Sequence, residues 1–296
     1  MQNALILCRF VHFAAVLLLF GTCLFRTWLF RSLLSTPDAE TPGTPALDTR
    51  LLWILRGLNA LALISGLLLL VLIAGSMANN WQDGLDPSTL TLVLGDTFFG
   101  RVWSGHLLLN LLLTISLVLT RYFSPPLRLV LAALFLATLA PIGHGAMFDG
   151  SLGDMMMVNQ LIHLCCVGAW LGGLLLLWLL LSSGAQGNLK PVLLRFSGIG
   201  YGLVAVIIAT GLINVRVMSG AVWPEPAFSG FGLILLIKVG LVLCMLLLAL
   251  FNRLQLNSQG NTLGILRTSV AIECLFGLAA VAAVSLLGTL PPLPNA

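Results

Sequence analysis

Eight apolar runs, each of about 20 residues, dominate this chain: 5–30, 51–76, 100–120, 126–143, 158–181, 196–218, 230–251 and 268–289. A helix needs about 20 apolar residues to cross a hydrocarbon layer of about 30 Å. Lipid offers no partner to a backbone N–H or C=O, so each run is predicted to be helical. Charge content agrees. Only 8% of the 296 residues are charged and 59% are hydrophobic, whereas a soluble domain carries roughly a quarter charged residues. No connection between the runs is long enough for a soluble domain. The predicted class is an all-α integral membrane protein, one polytopic domain over 1–296 with eight transmembrane helices in a lipid bilayer.

The basic residues predict an orientation. Arg26, Arg31, Arg50 and Arg56 flank the first connection, Arg121 and Arg128 the third, Lys190 and Arg195 the fifth, and Arg253 and Arg267 the seventh. An excess of Lys and Arg marks the cytoplasmic side, so both termini are expected on the periplasmic side. The first run lacks a basic leader and a small-residue cleavage site and reads as a retained helix. The net charge of +4 comes from residues scattered over helix ends, which argues against nucleic acid. There is no phosphate-binding loop and no room for a nucleotide domain, so nucleotide-driven pumping is excluded. All six cysteines lie inside apolar runs, which argues against a disulfide framework.

The two halves of the chain resemble each other. "FVHFAAVLLLFG" from Phe10 aligns with "LIHLCCVGAWLG" from Leu161, pairing His12 with His163 and Gly21 with Gly172. Arg50 and Gly66 fall opposite Arg195 and Gly211. "FGRVWSGH" from Phe99 aligns with "FGLILLIK" from Phe231, placing His106 opposite Lys238 and, further on, Arg121 opposite Arg253. The expectation is a four-plus-four parallel repeat about an axis along the membrane normal, with a first four-helix half at 1–145 and a second at 158–292. It would put His12, His106, His163 and Lys238 at comparable depth.

All four histidines fall toward the predicted outer side. Polar groups at membrane depth are costly and tend to mark ion or substrate paths, although a neutral histidine can also serve as interhelical glue. The stretch "IGHGAMFDGSLGDMMMVNQLIHLCC" (Ile142 to Cys166) adds His144, Met147 and the run Met155, Met156 and Met157. Imidazole suits several first-row metals and thioether favours Cu(I), so copper is the metal expected, with its oxidation state open. Methionine is equally a gap-filler in packed cores. On the fifth run Met156, Asn159, His163 and Trp170 share a helical face; Cys8 is four residues from His12, and Asn110 four from His106. Deeper groups that could line a path or merely join helices are Asn59, Asn110, Asn214, Lys238 and Glu273, the last with Arg267 or Arg253 as expected ion-pair partners.

These residues resemble the copper resistance protein D (CopD) family. "HLCCVGAWLGGL" (His163 to Leu174) is similar to its histidine, six residues, Trp-Leu-Gly-Gly signature. "RFSGIGYGLVAVIIATGLIN" (Arg195 to Asn214), "FGLILLIKVGLVLCMLLLALFNR" (Phe231 to Arg253) and "SVAIECLFGLAAVAAVSLLGTLPP" (Ser269 to Pro292) resemble its next three helices. One departure is that "NRLQLNSQG" lacks the proline expected soon after Asn-Arg. The resemblance implies a bacterial inner-membrane protein of copper resistance or homeostasis, carrying copper inward with a periplasmic copper-binding partner of the CopC type.

Two functions follow. In the first, copper received at His144, Met147 and Met155–Met157 passes to His163, His12 and His106 by ligand exchange. In the second, His12, His106 and His163 are axial ligands of b-type haem, and the protein is an oxidoreductase between quinol and a periplasmic acceptor.

Overall fold

The structure is a computed structural model that describes residues 2–34, 44–143, 148–183, 190–221, 223–224, 226–256 and 263–290. Nine α-helices lie in these segments: α1 (Gln2–Leu34), α2 (Thr44–Met77), α3 (Pro87–Asp96), α4 (Phe98–Val118), α5 (Pro125–Ala137), α6 (Gly150–Ser182), α7 (Lys190–Ser219), α8 (Gly230–Leu256) and α9 (Leu263–Leu287). Eight are long and apolar enough to cross a membrane, with α5 reaching that length through the 3-10 turn Ala140–Ile142. Each coincides with one of the eight runs.

The ninth, α3, lies in what reads from the sequence as a loop. Its start carries recognisable signals. Asp86 is the N-cap and accepts from the Thr89 N–H at 3.2 Å, and Pro87 occupies the first helical position, where a missing N–H costs nothing. The Ser88 hydroxyl, first, and then the Thr89 N–H hold the Asp86 carboxyl below its usual range.

The bundle is organised around α1 and α6, which pack along each other, with α2 and α5 also against α1 and α7 and α9 against α6. In the apolar stretch of α6, 67% of residues are buried, against 11% in α8, where Leu233, Leu236, Leu243, Leu247 and Leu250 are exposed. The α1–α6 crossing is closed by glycine. A Cβ on Gly21 would sit 1.8 Å from the Gly168 carbonyl oxygen, and one on Gly172 would sit 2.3 Å from Gly21 itself. Without a hydrophobic drive between helices in lipid, such backbone approach supplies the packing.

One end of the bundle gathers cations. Arg26 makes a two-pronged ion pair with Asp48 at 2.8–3.0 Å. Arg128, buried, donates to the carbonyls of Ser116, Thr120 and Phe123, and Arg56 donates to Leu117. Both therefore satisfy carbonyls at the C-terminal end of α4, where the helix dipole favours positive charge. Arg195 lies over the Trp28 ring at the same end. All six cysteines are free thiols.

Candidate metal site

His12 on α1 and His106 on α4 meet where α1, α2, α4 and α5 pack together. Both are completely buried, and their Nε2 atoms are 2.9 Å apart. His12 Nδ1 lies 3.1 Å from the Ala62 carbonyl and 3.0 Å from Ser65 Oγ. A carbonyl only accepts, so the His12 proton belongs on Nδ1 and its Nε2 presents a lone pair. His106 Nδ1 lies 2.6 Å from Thr138 Oγ1, which is also 2.6 Å from the Phe135 carbonyl.

The Thr138 hydroxyl has one proton and two places to send it. Donated to His106 Nδ1, it leaves the His106 proton on Nε2, joining the two rings. Donated to Phe135, it lets His106 Nδ1–H donate to Thr138, and both Nε2 lone pairs then face one point. Aromatic rings close the site: His106 stacks on Trp103 and Phe135 at centroid distances of 4.5 and 4.2 Å, and His12 lies 5.3 Å from Trp103. Trp103 is fixed in turn by its Nε1–H donating to the Gly66 carbonyl at 3.0 Å. Gly66 adjoins His12 so closely that a Cβ there would come within 3.2 Å of His12 Cε1. Cys8, a turn before His12, is buried and donates its Sγ–H to the Ser65 carbonyl at 3.3 Å.

His163 has a related arrangement between α6 and α7. His163 on α6 is buried, its Nδ1 lies 2.8 Å from Thr210 Oγ1, and Thr210 bonds back to Val206. A Cβ on Gly211 would lie 3.8 Å from His163 Cε1. Lys238, which aligns with His106, is half-buried on α8. No hydrogen bond or ring contact among the described residues joins His163 to the His12–His106 pair. A turn before it, Asn159 donates to the Thr210 carbonyl and to Asn214 Oδ1, and Asn214 donates to Gln160. These amides tie α6 to α7.

His144 and Met147 lie outside the described residues. The methionine run does not form one face. Because α6 begins at Gly150, eight residues before the apolar run, Met155, Met156 and Met157 occupy its second turn and point in three directions. Met155 is 69% exposed, Met156 is buried and Met157 is half-buried. Glu273 also departs from expectation. It is buried and accepts from Trp170 Nε1 at 2.9 Å and Asn252 Nδ2 at 3.2 Å, with neither Arg253 nor Arg267 within ion-pair distance. It borders a cavity of about 70 Å³ shared with Trp170, Tyr201, Asn252 and Arg253. Asn110 is fully buried, and neither amide atom has a partner among the described residues.

The residues not foreseen are the Nδ1 partners Ala62, Ser65, Thr138 and Thr210, and the rings of Trp103 and Phe135. A signal for two of them exists: Ser65-Gly66-Leu67 and Thr210-Gly211-Leu212 occupy aligned positions in the two halves.

Among the described residues no three His, Cys, Asp or Glu side chains come together as metal ligands. The chemistry on offer is therefore a pair of imidazoles. A metal–imidazole bond is about 2 Å, so an ion between His12 and His106 would set the Nε2 atoms about 4 Å apart, and the rings would have to part by about 1 Å. As the rings stand, this pair leaves no space for haem. A macrocycle would have to enter between rings 5.0 Å apart, with Trp103 and Phe135 stacked on His106.

Comparison with known proteins agrees with this membrane fold. The family model described as "Copper resistance protein D-like, N-terminal domain" matches residues 1–154, and that described as "Copper resistance protein D" matches residues 190–287. The chain belongs to the copper resistance protein D family of multi-pass bacterial inner-membrane proteins. It is 29% identical over 292 residues to "Inner membrane protein YebZ" of Escherichia coli K12, covering 96% of this chain and 97% of that protein. It is 26% identical over 309 residues to "Copper resistance protein D" of Pseudomonas syringae pv. tomato, covering 96% and 95%. A third relative, "Copper transport protein CutJ" of Bacillus subtilis 168, is 28% identical over 232 residues, covering 73% of this chain and 41% of that one. No solved structure matches.

Proposed function

We propose that this protein carries copper across the inner membrane, taking it up on the periplasmic side for copper homeostasis or resistance. The observation that carries the reading is the His12–His106 pair: two buried imidazoles with Nδ1 engaged and Nε2 turned toward a shared point. Buried ionisable residues in a membrane bundle are retained at a cost, and they mark cargo paths. His163, backed by Thr210, supplies a further imidazole. Transfer by ligand exchange needs several weak sites and no tight cage, which two-nitrogen and one-nitrogen stations provide. His144, Met147 and Met155–Met157 are proposed as the receiving surface for copper from a periplasmic CopC-type protein.

The proposed frame is a parallel four-plus-four repeat, 1–145 and 158–292, with both termini periplasmic. Its support is the recurrence of the His12–Ser65–Gly66 contacts as His163–Thr210–Gly211, with Lys238 aligned to His106 in the sequence. The aligned glycines Gly21 and Gly172 also meet each other, as equivalent helices beside a two-fold axis would. Lys238 in place of His106 makes the second half a poorer metal site than the first.

The test is cellular copper content in cells expressing the protein. Copper accumulation is expected to be lost with His106→Ala and with His163→Ala at unchanged protein level. Accumulation equal to the unmodified protein in both variants would sink the reading.

A further inference from the structure

We infer that the His12–His106 pair is a two-coordinate site for a monovalent d10 cation, Cu(I) or its analogue Ag(I), and that it rejects Cu(II) and Zn(II). The inference rests on the copper reading above and specifies the ion.

Geometry fixes the number of ligands. The two Nε2 atoms face each other across 2.9 Å, so an ion received between them is approached from opposite sides. The other side chains against the two imidazoles are the Trp103, Phe135 and Phe13 rings, and Ser65 and Thr138, which are engaged at the Nδ1 atoms. No third His, Cys, Asp or Glu joins the pair among the described residues. Cu(II) seeks a tetragonal set of N and O ligands, and Zn(II) binds tetrahedrally with four. A filled-shell monovalent ion accepts two nitrogens in a line.

Charge points the same way. Both rings are fully buried and no carboxylate or thiolate stands beside them. The cost of bringing an ion into a low-dielectric interior rises with the square of its charge, so a divalent cation pays about four times what a monovalent one does. With no anionic ligand to offset that, the site selects charge as well as coordination number.

The flanking groups suit loading. His12 already holds its proton on Nδ1, against the Ala62 carbonyl. His106 can do the same because the Thr138 hydroxyl turns from His106 to the Phe135 carbonyl. Loading therefore needs a tautomer change and a parting of the rings by about 1 Å, with no proton lost from the site.

The experiment is an anaerobic titration of the full-length protein in detergent with chelator-buffered Cu(I) to one copper per protein, so that the two-nitrogen site fills ahead of the one-nitrogen and methionine stations, followed by X-ray absorption of the loaded protein. We expect a copper centre with two nitrogen neighbours, no sulfur, and the strong pre-edge feature of linear Cu(I). Ag(I) should displace it, while Cu(II) and Zn(II) should not compete. His12→Ala and His106→Ala should each weaken this binding by about tenfold or more, with Gly240→Ala, which has open space around it, as the folded control. The spectrum of the unmodified protein decides the matter even if a histidine variant fails to fold. Three or more ligands, a sulfur neighbour, or Cu(II) held as tightly as Cu(I) would overturn the inference while leaving the copper reading in place. No binding of copper in either oxidation state would remove both.

Discussion

Each of the three described histidines engages Nδ1 with a neighbouring carbonyl or hydroxyl, so Nε2 is the nitrogen left for other work. That arrangement fixes ring orientation and raises the basicity of the free nitrogen, the usual role of a partner behind a metal-binding imidazole. Glu273 shows the opposite use of a buried group: both oxygens are engaged by neutral donors that join α6, α8 and α9. Replacing it with Leu would strand the Trp170 and Asn252 N–H groups, and each buried orphan costs about 1–3 kcal/mol. Trp170→Phe strands one carboxylate oxygen and leaves Asn252 in place. Thermal unfolding in detergent should therefore fall further for Glu273→Leu than for Trp170→Phe; equal or higher Tm for Glu273→Leu would show that the linkage contributes nothing. The histidines themselves were legible in the sequence because a titratable group inside an apolar run is conspicuous. Their partners were not, since Thr138 and Ala62 are ordinary residues until two helices bring them to an imidazole. The nearest opposite charges along the chain, Arg253 and Arg267, misled in the same way for Glu273.

Among the elements, the α1–α6 crossing is the closest-packed seam of the bundle that glycines line. Gly172→Leu would drive a side chain into the Gly21 backbone, where a Cβ alone comes within 2.3 Å. Overpacking of this kind costs about 1–3 kcal/mol when the surroundings can adjust, and backbone adjusts less than a side chain. The expected result is a lower Tm and less monodisperse protein on size exclusion, whereas Gly240→Ala on the outward-facing α8 should leave both unchanged. A Gly172→Leu protein as stable as the original would mean that the crossing is not close. Helix positions were legible in outline because run length and apolarity set them. Helix ends were not: α6 begins at Gly150, ahead of its apolar run, so Met155, Met156 and Met157 are helical, with Met155 exposed and Met156 buried. α3 escaped notice because its apolar stretch is too short to span a bilayer, despite a cap and a proline that mark its start.

For the whole molecule, the eight spans follow from composition, but which helix touches which does not. A helix apolar on all sides carries no stripe to say where its neighbours lie, so the pairing of α1 with α6 had to come from the fold. Orientation then decides what the His12–His106 pair can do. About 14 residues of α1 separate His12 from Arg26, or roughly 21 Å along the helix, so the imidazoles and the Arg26–Arg56–Arg128 end sit toward opposite faces. The proposed orientation follows the positive-inside rule, which predicts the arginine end in the cytoplasm. A cysteine introduced at the exposed Asn80, in the turn between α2 and α3, should react with a membrane-impermeant maleimide in cells with a permeabilised outer membrane. One at the exposed Tyr122, between α4 and α5, should react only after the inner membrane is opened. The reverse pattern would turn the imidazoles toward the cytoplasm, and copper reaching His12 and His106 first would then be copper on its way out.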